Sequence, residues 1–198
     1  MSAIKLIAES EGISSSRRGF LACASAFALG ITNLPRAVAG QKFTLKGSLF
    51  AQVGSESNLD PYLLYAIALA ESSRGVEKGL ISPWMYALRA SKPYYPKTLD
   101  DAKETLAWIL RTEGNLVDIG LMQINYRWNG HKVRHPNELL DPYTNLTVAA
   151  DTLRAALRSS PNDLELGIGR YHHWENQARS LNYGQRVLAI RKNLIALS

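Results

Sequence analysis

Two Asp-Pro steps, Asp60-Pro61 and Asp141-Pro142, each open a run of apolar residues at helical spacing. An aspartate accepts a hydrogen bond from the free amides of a first helical turn, and a proline just inside that turn has no amide to leave unpaired. The first step leads to Leu64, Ile67, Ala68 and Glu71 at i, i+3, i+4 and i+7; the second leads to Leu146, Ala149, Ala150, Leu153 and Leu157. That spacing predicts helices with one face turned to a core. Gly75 is placed to end the first in a left-handed conformation, and Pro161 lies beyond the end of the second. Leu45, Leu49 and Val53 suggest a short helix before them. Leu106, Ile109 and Leu110 give the apolar side of a helix over about 99–112, which Gly114 would stop. Leu164, Gly167, Ile168 and Tyr171 mark another helix, and Tyr183, Val187, Ile190 and Leu194 the last. Residues 76–97, with Pro83, Pro93 and Pro96, read as irregular. No run sustains the alternation of a half-buried strand, so the fold class is mainly α with at most a small β element.

At 198 residues, 46% of them hydrophobic, the chain can bury one ordinary core. Its first part reads as an address. Arg17 and Arg18 precede a short apolar run over 20–31, and Ala37-Val38-Ala39 forms a small-x-small cleavage site before Gly40. The run falls short of the ~20 apolar residues that span a bilayer. Residues 16–21 resemble the twin-arginine export signal, with a general secretory signal as the alternative. A buried N-terminal helix is the structural reading; the paired arginines, Pro35 and the cleavage site speak against it. Residues 1–39 are therefore expected to be removed near Ala39, leaving a 40–198 domain without a membrane span. The one cysteine, Cys23, would leave with the signal, and no apolar run precedes it as a lipid anchor would require.

The formal charge of +6 suits an anionic partner: nucleic acid, a membrane surface or an acidic wall polymer. The basic residues are scattered with no run of five, and no nucleic-acid motif is visible, so no nucleic-acid partner is expected. His131 and His135 stand four apart, but no third ligand accompanies them; neither a metal nor a cofactor is expected.

Glu71 sits among Ile67, Ala68, Leu69 and Ala70. Burial disfavours a charged carboxylate, and a carboxyl that keeps its proton near neutrality can protonate a leaving oxygen. The same position also allows a structural pair with Arg74 at i+3. Helix geometry alone leaves both readings open.

Five motifs follow in order: Ala70-Glu71-Ser72-Ser73; Gly120-Leu121-Met122-Gln123-Ile124-Asn125; Leu140-Asp141-Pro142-x-x-Asn145; Arg170-Tyr171-His172; and Tyr183-x-x-x-Val187. Together, over roughly 48–195, they resemble the soluble lytic transglycosylases, whose fold is goose-type lysozyme-like. The resemblance implies cleavage of the MurNAc–GlcNAc β-1,4 bond of peptidoglycan with formation of 1,6-anhydro-MurNAc. It implies Glu71 as the catalytic acid and base, and Ser73, Gly120, Met122, Gln123, Asn125, Tyr171 and Tyr183 as substrate-binding. Met122 and Gln123 would lie against the sugar, and Tyr171 would point at the catalytic carboxylate. The D-P-x-x-N segment would start a structural helix, with Asp141 as its cap. A periplasmic monomer acting on glycan strands is the expected form.

The spelling of 118–125 is nearest the branch found with conjugation, type IV and type III secretion machines, which implies such an apparatus as partner. Residues 76–113 exceed the short loop usual in the family and read as an insertion with its own helix. Its Trp84, Tyr86, Tyr94, Tyr95 and Trp108 are placed to stack on sugars or, for Trp108 above all, to pack the insert internally. Gly114 stands where a serine often precedes G-L-M-Q. Asp118 could act as a second acid in a lysozyme-like muramidase, although a loop-capping role is the favoured reading. His172 and His173 would face either the groove or solvent. Two further readings are a non-catalytic glycan-binding assembly subunit, which the presence of Glu71 disfavours, and a nucleic-acid-binding conjugation accessory, which the export signal disfavours.

Overall fold

The computed structural model describes residues 42–77 and 80–198. The residues read as an export signal, Cys23 among them, lie outside the described residues. The chain is mainly helical with a small β portion, as the periodicity predicts.

Helix α1 (Leu49–Ser57) opens at Ser48, whose hydroxyl accepts from the Ala51 amide. Leu45 lies before this cap and is buried outside the helix. Helix α2 (Pro61–Ser72) starts as its Asp-Pro step predicts, with the Asp60 carboxylate accepting from the Tyr62 amide at 2.9 Å. The expected single buried face is wrong for this helix. All seven residues from 63 to 69 are buried, so α2 is wrapped on every side. A helix apolar all round belongs at the centre of a core. Helices α1 and α7 (Gln177–Ala196) pack directly on α2. The remaining helices are α3 (Leu99–Thr112), the short α4 (Tyr126–Asn129), α5 (Pro142–Arg158) and α6 (Leu164–Gly169). Thr98, Asp141, Asp163 and Asn176 cap α3, α5, α6 and α7 through their side chains. Helix α7 packs on both α6 and α2, and α5 packs on α1. Gly184 permits the α6–α7 approach: a Cβ there would lie 2.0 Å from the Glu165 carbonyl oxygen.

Gly75 does not end α2. The helix stops at Ser72 because Ser73 turns extended and begins β1 (Ser73–Glu77), which pairs antiparallel with β2 (Leu80–Pro83). Gly75 faces Ile81 within that hairpin. The stretch read as irregular also supplies β3 (Leu88–Arg89) and β4 (Pro93–Tyr94). These join β5 (Asp118–Ile119) and β6 (Ile124–Asn125) in an antiparallel sheet of order β4-β3-β5-β6. Strand β3 sets Leu88 opposite Ile119 and Arg89 opposite Asp118. Residues 76–113 thus carry α3, and they also extend the sheet that holds the G-L-M-Q turn. Among the described residues no helix is long and apolar enough to cross a membrane.

Candidate active site

Glu71 lies in the last turn of α2 with its side chain only 8% exposed. Tyr183, projecting from α7, donates its hydroxyl to Glu71 Oε1 at 2.5 Å. His172 Nδ1, from the turn between α6 and α7, lies 3.1 Å from the same oxygen. The His172 and Tyr183 rings are stacked, 4.6 Å apart and 7° from parallel. Each donor is therefore held by the other, and both converge on one carboxylate oxygen. Arg74 does not pair with Glu71. Its guanidinium lies over the Tyr95 ring at 4.4 Å and the Trp84 ring at 5.4 Å.

The electrostatics follow from this packing. The bond to Glu71 raises the His172 pKa, helped by the Glu71 charge and opposed by burial and by Arg186. Burial, and then the Glu71 charge, push both Tyr171 and Tyr183 well above the usual phenol range, so both stay protonated donors. Tyr171 lines the same cavity as Glu71 but does not bond to the carboxylate. Its hydroxyl donates to the Met122 carbonyl at 2.8 Å. Helix α6 ends at Gly169, so Tyr171 lies past it rather than on its stripe.

The turn between β5 and β6 forms the facing wall. Gly120 has φ +80°, and a Cβ there would sit 2.3 Å from Asn145 Nδ2; only glycine fits. Gln123 adopts φ +48°, a left-handed backbone uncommon outside glycine and asparagine. Its amide nitrogen donates to the Gly120 carbonyl at 2.8 Å and the Ala87 carbonyl at 3.1 Å, which holds the strained turn against β3. Asn145, from α5, is fully buried behind the turn. It accepts from the Met122 amide at 2.9 Å and donates to the Ile119 and Leu139 carbonyls at 2.8 Å each. Ser72 ties α2 to the same turn by donating to the Leu121 carbonyl at 2.7 Å.

Two cavities meet at Glu71. One of about 500 Å³ is lined by Asp118, Gln123, Asn125, Tyr171, Trp128 and Trp174 among others. A smaller one of about 130 Å³ takes in Ala87, Arg89 and Tyr95. Glu71 and Gln123 line both. The larger volume is in the range of small-ligand sites. Asn125 donates to Asp118 Oδ1 at 2.8 Å, while its own Oδ1 is buried without a partner. Burial raises the Asp118 pKa, with the Glu71 charge adding and the Asn125 bond opposing.

Several expected contacts need correction. Met122 cannot lie against a sugar, because it is fully buried in the core and presents only backbone groups, both already bonded. Ser73 is exposed at the start of β1, paired with Pro83, and lines neither cavity. Gly120 shapes the turn and also lines neither. Of the five aromatic residues in 76–113, only Tyr95 reaches a cavity at Glu71. Trp84 donates to the Pro96 carbonyl at 2.8 Å, and Tyr94 donates to Glu113 at 2.8 Å with Trp108 edge-on against it. Beside Tyr171, the large cavity is lined by Trp128 and Trp174, which no sequence motif marks; nor does one mark the partnership of His172 with Glu71. Trp128 is 67% exposed and Trp174 56%. Each follows a motif residue, Asn125 or Tyr171, by three positions, and that adjacency was the available signal. His135 is spent as a cap, its Nδ1 accepting from the Asn137 amide.

The family model of the transglycosylase SLT domain matches residues 48–192. No curated protein and no solved structure matches the chain. The matched span takes in the α1 cap, Glu71, the β5–β6 turn, Asn145, Tyr171 and Tyr183, and the chain belongs to the transglycosylase SLT domain family.

Proposed function

We propose that the protein is a peptidoglycan lytic transglycosylase that cleaves the MurNAc–GlcNAc β-1,4 bond and closes a 1,6-anhydro ring on the muramic acid. The observation that carries this reading is a near-buried carboxyl at the junction of two cavities, with one oxygen gripped by Tyr183 and His172. Oε2 is thereby left for the substrate. Glu71 protonates the bridging oxygen, and the C1–O4 bond breaks while the substrate's N-acetyl group stabilises C1. The Glu71 carboxylate then takes the proton of the C6 hydroxyl as O6 bonds to C1, so the protein ends the cycle as it began. Exposed Trp128 and Trp174 offer flat apolar faces to sugar rings along the larger cavity. The signal-like sequence of 1–39 and the spelling of 118–125 support a periplasmic role in opening the wall locally for a conjugation or secretion apparatus.

Asp118 supports a second reading. It shares the large cavity with Glu71, and two carboxylates are the usual equipment of hydrolytic glycosidases. Mass analysis of muropeptides released from sacculi separates the two. The transglycosylase yields products lighter by one water, and an Asp118→Asn protein still forms them. Products that all carry the added water would establish a muramidase instead.

The His172–Glu71 contact predicts a pH signature. The bond to Glu71 keeps His172 protonated to higher pH than an ordinary histidine, so an imidazolium stands beside Oε1 until pH passes the raised His172 pKa. Below that point the imidazolium can resupply the proton that the acid spends; above it that donor is lost. A His172→Gln protein lacks the donor at every pH. The fall in kcat that the wild type shows as pH rises through the raised His172 pKa should then be missing from the variant, whose kcat is already low below it. An unchanged fall in the variant would remove His172 from the acid's control.

A further inference from the structure

Beyond the glycan groove, a cleft of about 390 Å³ lies between the turn carrying His172 and His173 and the face of α7 carrying Arg179, Asn182, Tyr183 and Arg186. No acidic side chain lines it. Arg179, Asn182 and Arg186 follow one another at i, i+3 and i+7, so they share one stripe of the helix. Neither arginine enters an ion pair among the described residues, whereas Arg191 and Arg154 on the same molecule pair with Asp60 and Asp151. Arg186 is positioned by its stack on the Tyr183 ring, 5.4 Å from the centroid. The opposite wall is fixed too. Ser180 of α7 donates to the His173 carbonyl, and the His173 ring packs edge-on against His172 at 4.6 Å. Two guanidinium groups and two imidazoles thus face one preformed space, and of the four only His172 has a carboxylate partner, Glu71. The crowding is visible in His173, whose pKa is lowered by burial and then by the His172 and Arg179 charges.

The cleft is continuous with the site. His172 lines both this cleft and the large cavity, and Tyr183, on the cleft's floor, is the residue bonded to Glu71. We infer that the cleft is a carboxylate subsite, and that Arg179 and Arg186 take a carboxylate of the peptide stem that muramic acid carries. This rests on the glycan-cleaving reading above. A guanidinium pairs with a carboxylate through two parallel N–H bonds, a match that neutral sugar hydroxyls cannot offer. The ligand chemistry is an oxyanion, which a phosphate would also satisfy; the stem is favoured because it leaves the muramic acid beside the bond held at Glu71.

The test compares glycan strands bearing native stems with the same strands after their carboxyl groups are amidated. For the wild-type protein, amidation should raise KM about tenfold with kcat little changed, the size expected for one charge-assisted pair. An Arg179→Ala/Arg186→Ala protein should show the higher KM on native strands and no further rise on amidated ones. Wild type and variant both indifferent to amidation would overturn the subsite while leaving glycan cleavage intact. No cleavage of either substrate by the wild type would instead overturn the function on which it rests. Inorganic phosphate competing against amidated strands in wild type alone, with no effect of amidation itself, would reassign the cleft to a phosphate. As a check independent of the variant's folding, a stem peptide added to the wild-type protein should raise the His173 pKa in an NMR titration. An unmoved His173 would count against the subsite.

Discussion

A Glu71→Gln protein should fold and bind glycan strands like the wild type and release muropeptides about 10²–10⁴-fold more slowly, the range lost when a positioned acid or base is removed. The substitution is close to isosteric. The carbonyl oxygen of the introduced glutamine can still accept from Tyr183, which in the wild type grips Glu71 at 2.5 Å, so packing at the end of α2 is kept. What disappears is the proton for the bridging oxygen and the base for the C6 hydroxyl. Release of muropeptides from purified sacculi, with melting temperature as the control, checks this. Turnover within tenfold of wild type would show that the carboxyl at the cavity junction is not the acid. The result also separates chemistry from binding: a lost kcat with a retained KM places Glu71 at the reacting atoms, whereas a large rise in KM alone would make it a positioning group.

The helices were the legible part of this fold, because their signals are local. Asp60-Pro61 and Asp141-Pro142 start α2 and α5 where a side-chain oxygen and a missing amide make a helix begin, and the apolar spacing of 99–112 matches α3. The hairpin after Ser72 was not legible. Gly75 looks like a helix terminator in sequence, but its conformation is set by pairing with Ile81, a partner that no local rule names. The site divides in the same way. Glu71 and Gln123 were found because motif residues mark the end of α2 and the β5–β6 turn. Which tyrosine reaches Glu71 depends on how α7 crosses α2, two elements far apart in the chain. Tyr183 crosses at the carboxylate, and Tyr171 is drawn to the Met122 carbonyl instead. His172 was invisible as a partner for a related reason: its ring is aimed by the stack on Tyr183, not by its place in the sequence. Met122 was misplaced because a motif position does not say which way a side chain turns, and the buried packing behind the turn takes it.

The same turn carries the largest stability effect we expect. Asn145 ties the β5–β6 turn to the stretch just before α5: the Met122 amide and the Ile119 and Leu139 carbonyls all end on its side chain, at 2.8–2.9 Å. The residue is fully buried, so water does not replace it. Asn145→Ala would orphan one donor and two acceptors at roughly 1–3 kcal/mol each, a total on the order of 3–9 kcal/mol before any relaxation. Set against a native stability of about 5–15 kcal/mol, that should lower the melting temperature by at least roughly 6 °C, at about 2–4 °C per kcal/mol. Asn145→Asp should not rescue it, since a carboxylate cannot donate to either carbonyl and would be buried beside both. Function should suffer below the melting transition too. The Met122 carbonyl that receives Tyr171 and the left-handed Gln123 both belong to the turn that Asn145 fastens. A thermal scan of the two variants decides the matter. A melting temperature within about 2 °C of wild type for Asn145→Ala would mean that the turn is held by its contacts with β3 and Ser72, and that Asn145 is dispensable to it.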